Sequence, residues 1–137
     1  MIKLGISGSR YGLSNDAKKF LINFIENNNI LESHHGDCLG VDKEFHDICI
    51  EKKISVVIHP PNINTLRAFC KSPNILNPKP YLERNKDIVD STDILIAFPS
   101  SDKEILRSGT WSTIRYAKKK KNKKIIIVPP NGIPLSK

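Results

Sequence analysis

Three short stretches of this chain combine glycine, hydroxyl and charged residues in a way that suits anion binding. They are Gly8-Ser9-Arg10, His35-Gly36-Asp37-Cys38-Leu39-Gly40-Val41-Asp42, and Arg107-Ser108-Gly109-Thr110. Glycine allows the backbone to approach a ligand closely, and Ser and Thr add hydroxyl donors. Where such a turn opens a helix, unsatisfied N–H groups and a partial positive charge face the ligand. One helix end contributes only ~1–2 kcal/mol, whereas micromolar binding requires about 8 kcal/mol. Arginine is the natural supplement, because its guanidinium grips phosphate or carboxylate with two prongs. Arg10, Arg84, Arg107 and Arg115 are placed to supply it. Tyr11, Tyr81 and Trp111 offer faces on which a base could stack.

Each feature also has an ordinary structural reading. A Gly-Ser pair after a strand makes a turn, and a Ser before a helix is a common cap. Asp42 suits the first turn of a helix, and Trp111 suits packing. A metal site is weighed from His34, His35, Cys38, His46 and Cys49. It is set aside because no paired Cys-x-x-Cys is present and Cys49 fits an apolar helix stripe. No cofactor is expected, and nothing marks Cys38 or Cys70 as an activated nucleophile.

The elements that must position these stretches alternate in type. Ile2–Ser7 is an apolar run stopped by Gly8, and reads as a buried strand. Ser14-Asn15-Asp16 starts a helix whose apolar residues Ala17, Phe20, Leu21, Phe24 and Ile25 share a face. Asn27-Asn28-Asn29 ends it. A second strand runs over 30–37 and a second helix starts at Val41. A third strand over 54–61 is stopped by Pro60 and Pro61. Residues 60–80 hold five prolines and read as a long loop. A helix over 81–92, a strand over 93–99, a loop, a helix from Gly109 and a last strand from Lys124 complete the chain. This order predicts one α/β domain over residues 1–137, with a mostly parallel five-stranded sheet flanked by helices. Ligands then bind beyond the carboxyl ends of the strands, where the three stretches fall.

Composition narrows the partners. The formal net charge is +8, but six positive charges fall at Lys118–Lys121, Lys123 and Lys124, leaving +2 for the rest. The basic character is thus local, at the C-terminal end of a helix where cations are favoured. Nucleic acid binding through Lys118–Lys124 is one reading, and a solvated helix end is the other. No apolar run reaches membrane-spanning length, so no membrane partner is expected. With no signal-like N-terminus and three cysteines, the expected setting is cytoplasmic, with reduced thiols.

The motifs "GISGSR", "HGDCLGVD", "YLERNKDIVDSTDILIAFP" and "SGTWSTIRYA" come in the order and spacing of the SLOG superfamily. The chain resembles the small stand-alone phage, bacterial and viral members, over about residues 2–130. The superfamily also holds the DNA-processing protein A of natural transformation and the lonely-guy cytokinin-activating phosphoribohydrolases. The resemblance implies a Rossmann-like fold that binds nucleotides or nucleotide-derived molecules, and association into homo-oligomers. It places Gly8, Ser9 and Arg10 on a first binding loop and Gly36, Gly40 and Asp42 on a second. Arg84 and Asn85 match a ligand-facing Arg-Asn pair, and Gly109 and Thr110 match a phosphate-binding loop; Ser108 and Thr113 flank them. The phosphoribohydrolases carry a catalytic Glu three residues beyond that Thr, where this chain has Thr113. A hydroxyl cannot replace a carboxylate that activates water.

Three functions follow as expectations. The first is capture of a nucleoside phosphate or an ADP-ribose-like signal. The second is hydrolysis of the N-glycosidic bond of nucleoside monophosphates, with Asp42 or Glu83 as the carboxylate. The third is binding of single-stranded nucleic acid.

Overall fold

The computed structural model describes residues 1–135. Its elements are β1 (Ile2–Gly8), α1 (Asn15–Glu26), β2 (Ile30–His35), α2 (Val41–Glu51), β3 (Val56–Ile58), β4 (Asn74–Ile75), α3 (Tyr81–Asp90), β5 (Ile94–Phe98), α4 (Gly109–Lys118) and β6 (Lys124–Ile127). The strands form one sheet in the order β4-β3-β2-β1-β5-β6, and each neighbouring pair is parallel. The α/β, Rossmann-like reading of the sequence holds. The strand count is corrected from five to six. The additional strand is an exposed Asn-Ile dipeptide inside the 60–80 loop, too short to leave an alternating pattern.

Helices cover both faces of the sheet. Buried residues of α1 and α2, including Leu21, Ile25, Phe45 and Cys49, join Leu4, Ile6, Ile58, Ile96 and Phe98 in the larger core. On the other face Ile88 and Val89 of α3 pack with Leu95, and Trp111 and Ile114 of α4 pack with Ala97 and Ile127. Every residue of β5 is therefore buried, which is why it reads as a continuous apolar run rather than an alternating one. Ser14 caps α1 by accepting a hydrogen bond from the Ala17 N–H, and Ser108 caps α4 by accepting one from the Trp111 N–H. Gly5 lets α3 approach β1 closely, since a Cβ there would meet Thr92 and Ile88.

Successive strands step outward from β1 to β4, then the chain crosses back to place β5 and β6 on the other side of β1. The order reverses between β1 and β5. At that point the loops leaving neighbouring strands diverge and open a crevice. No helix among the described residues is long and apolar enough to cross a membrane.

Candidate functional site

A cleft of about 430 Å³ opens at this reversal point. Of the expected binding residues, Gly8, Ser9, Arg10, Gly36, Asp42, Arg84, Asn85, Ser108, Gly109 and Thr110 line it. Five elements deliver them: the ends of β1 and β2, the start of α2, and the N-terminal halves of α3 and α4. Gly40, Thr113 and Glu83 stand outside this lining. Gly40 has a φ of 92° and lies against the Arg10 carbonyl, so any side chain there would force the first two loops apart. Thr113 is buried and its hydroxyl donates to the Gly109 carbonyl at 2.9 Å, within its own helix. Glu83 is exposed on α3.

Asp42 is buried at the start of α2. Its Oδ2 accepts hydrogen bonds from the Gly36 and Cys38 N–H groups, both at 3.2 Å, and so closes the turn between β2 and α2. Burial pushes its carboxyl up to about 6, against the opposing pull of Arg84 and the two N–H donors. Its Oδ1 has no hydrogen-bond partner among the described residues.

Arg84 is 3% exposed. Its Nη1 donates to the Gly36 carbonyl and, at 3.1 Å, to the His59 carbonyl; its Nε donates to Asn85 Oδ1 at 2.7 Å. Much of its fork is thus spent on clasping the ends of β2 and β3 together. Its charge still reaches the cleft, and no carboxylate forms an ion pair with it among the described residues. Arg10 and Arg107 also line the cleft without an ion pair. Arg67 and Arg115, the two arginines outside the lining, are each paired: Arg67 with Asp37 and Arg115 with Glu104.

The sequence reading missed several contributors. Asp37 is fully buried with a φ of 59°. Its carboxylate takes hydrogen bonds from Arg67 Nε and the Cys70 N–H, both at 2.8 Å, and its carbonyl takes the Ala68 N–H at 2.7 Å. It ties down a strap, residues 62–72, whose Leu66 forms part of the cleft wall. Leu66 and Phe69 both hold positive φ, 66° and 56°, which is unfavourable for bulky side chains. The Cys38 thiol also lines the cleft, but burial pushes its pKa up, so it is no ready nucleophile. Trp111 is packing: it is buried, and its Nε1 finds no acceptor.

Tyr81, read from the sequence as a stacking face, takes another position. Its hydroxyl reaches the first residue of α4, where a Cβ on Gly109 would run into it. Its ring centroid lies 5.4 Å from Arg84 Cζ.

His35, His46 and Cys70 bring ligand atoms within 4.8 Å of one another. Their hydrogen bonds argue for a relay over a metal centre. The Asp37 N–H donates to His35 Nδ1 at 2.9 Å, so the ring hydrogen of His35 sits on Nε2 and points at His46 Nδ1, 3.0 Å away. Neither nitrogen of His35 has a lone pair left for a metal. Ligating histidines instead donate from their second nitrogen.

The lysine run lies at the opposite rim. It follows α4 and leads into the start of β6, whereas the cleft sits at the strands' carboxyl ends. Lys120 pairs with Asp90 at 3.4 Å and lies 4.6 Å from the Tyr116 ring centroid. Compared with protein-family models, curated proteins and solved structures, the chain finds no match in any of the three.

Proposed function

We propose that the cleft captures a nucleotide or nucleotide-derived signal, a nucleoside phosphate or an ADP-ribose-like molecule. The observation that carries this is the contrast among arginines. Arg10, Arg84 and Arg107 face one cleft without ion pairs, while Arg67 and Arg115 are paired with carboxylates elsewhere. Beside them, the Gly109 and Thr110 N–H groups have no acceptor among the described residues, so donors and positive charge converge on one space. The uncommitted Oδ1 of Asp42 suits a sugar hydroxyl. The motifs' resemblance to the SLOG superfamily points the same way.

Calorimetry with a panel of nucleoside phosphates and ADP-ribose tests this. Binding is expected to weaken about tenfold or more in Arg107→Ala and in Arg10→Ala, the worth of one charge-assisted hydrogen bond. Both side chains are exposed, so thermal stability should not change. No heat from any member of the panel, at concentrations that detect micromolar binding, rejects the reading.

A second reading is favoured by Asp42 alone. A buried carboxyl in a cleft with a pKa raised to about 6 is suited to proton transfer near neutral pH. On this reading the protein hydrolyses the N-glycosidic bond of a nucleoside monophosphate with Asp42 as its acid or base. Base release that persists in Asp42→Ala would exclude that role. Nucleic acid bound through Lys118–Lys124 would engage the far rim and leave the cleft free.

A further inference from the structure

The tip of α4 has two N–H groups, of Gly109 and Thr110, without an acceptor among the described residues, and a side chain of α3 already reaches it. Tyr81 is the first residue of α3, held there by Pro80 at the N-cap position with a φ of −53°. Its ring lies near the Arg84 guanidinium, and its hydroxyl comes against Gly109. The phenol therefore bridges the mouth between α3 and α4, against Gly109 and beside the Gly109 and Thr110 N–H groups, which have no acceptor among the described residues. The side chain is 47% exposed, and its hydroxyl has no hydrogen-bond partner among the described residues. Packing does not lock it in this rotamer.

We propose that Tyr81 is the specificity-determining gate of the cleft: its phenol covers the α4 terminus, and an anion that seats there must displace it. This rests on the reading of the cleft as an anion site. Displacement adds the same free-energy cost to every ligand that uses this seat and none to a ligand that avoids it. A small anion whose contacts are confined to the seat is disfavoured. A larger one that also reaches Arg10 and Asp42 recovers the cost. The gate thus discriminates between ligands that use the seat and ligands that bypass it.

The test titrates inorganic pyrophosphate and ADP, by calorimetry, into the parent chain, Tyr81→Phe and Tyr81→Ala. The Phe variant removes the hydroxyl and keeps the ring beside Arg84. Both ligands are expected to bind more tightly to it by a common factor of about three to ten, on the order of the cost of reordering one side chain. Tyr81→Ala is expected to show at least that gain. Affinity unchanged or weakened in both variants overturns the gate and leaves the anion site standing; weakening would mark the ring as a stacking face. Absence of binding to all three chains overturns the gate together with the anion reading.

Discussion

At the scale of single residues, the cleft is built from groups that oppose stability. Asp42 is a carboxylate buried beside an apolar core with its pKa raised to about 6. At pH 7.5 it is mostly ionised in an environment that favours the neutral form, which costs about 2–3 kcal/mol by linkage with its ordinary value. Asp42→Asn keeps an oxygen for the Gly36 and Cys38 N–H groups and removes the charge. It is expected to raise the unfolding free energy at pH 7.5 by about 1–2 kcal/mol, with the gain shrinking as pH falls toward 5. Denaturant melts at several pH values measure this; a variant less stable at every pH would show that the charge itself holds the turn. Arg84 is the counterpart: a buried cation whose prongs hold backbone carbonyls, so that its field, more than its fork, is directed at the cleft.

At the scale of elements, the strap over residues 62–72 shows what a sequence conceals. The strands and helices were legible because apolar spacing records them directly: β5 reads as five apolar residues because both its faces are covered. The loops after β1 and β2 and before α4 were legible because glycine and hydroxyl residues recur at three strand or helix ends of one sheet, where a single such turn would have been ordinary. The strap left no such trace. Its buried ion pair joins Asp37 to Arg67, thirty residues away in the chain, beside backbone bonds such as Leu39 N–H to the Leu66 carbonyl, and local spacing cannot report contacts of that range. Tyr81 was legible as an aromatic near the site but not as a cover for α4, because that depends on where two helix starts meet. Asp37→Ala leaves Arg67 unpaired and the Cys70 N–H without its acceptor, a loss of about 3–5 kcal/mol for a buried pair. The strap also holds Leu66 and Phe69 in unfavourable backbone conformations, so it is expected to release first. Trypsin should then cut after Arg67 or Lys71 well before the rest of the chain. Equal cleavage of the parent and Asp37→Ala would show that the strap is held by other contacts.

At the scale of the whole molecule, the four histidines set the acid limit. His35 is pushed down to about 3 and His59 to about 4, chiefly by burial, and His34 and His46 are lowered for the same reason. They lie in two hydrogen-bonded pairs, His34 with His59 and His35 with His46. Their surroundings are Glu32, Lys3, Asp47, Lys43, Asp37, Arg84, Asp87 and Lys79. Each histidine is neutral in the fold and binds a proton in the unfolded chain below about 6.5. The unfolded state therefore takes up more protons as pH falls, and stability declines from about 6.5 down toward 4. Asp42 works in the opposite sense between about 6 and its ordinary value, but it is one group against four. The expected result is a melting temperature that is flat above pH 7 and drops steadily between 6.5 and 4.5. A melting temperature that stays level through that range would show that the buried histidines are already charged in the fold.

The cleft and the lysine run sit at opposite rims of one sheet, and this has a practical bearing on how the molecule can be handled. Primary amines are concentrated on the rim away from the pocket, so a surface that couples through amines captures the chain largely by its back. The open side is then turned to solution, and the mouth of a tethered sample stays accessible.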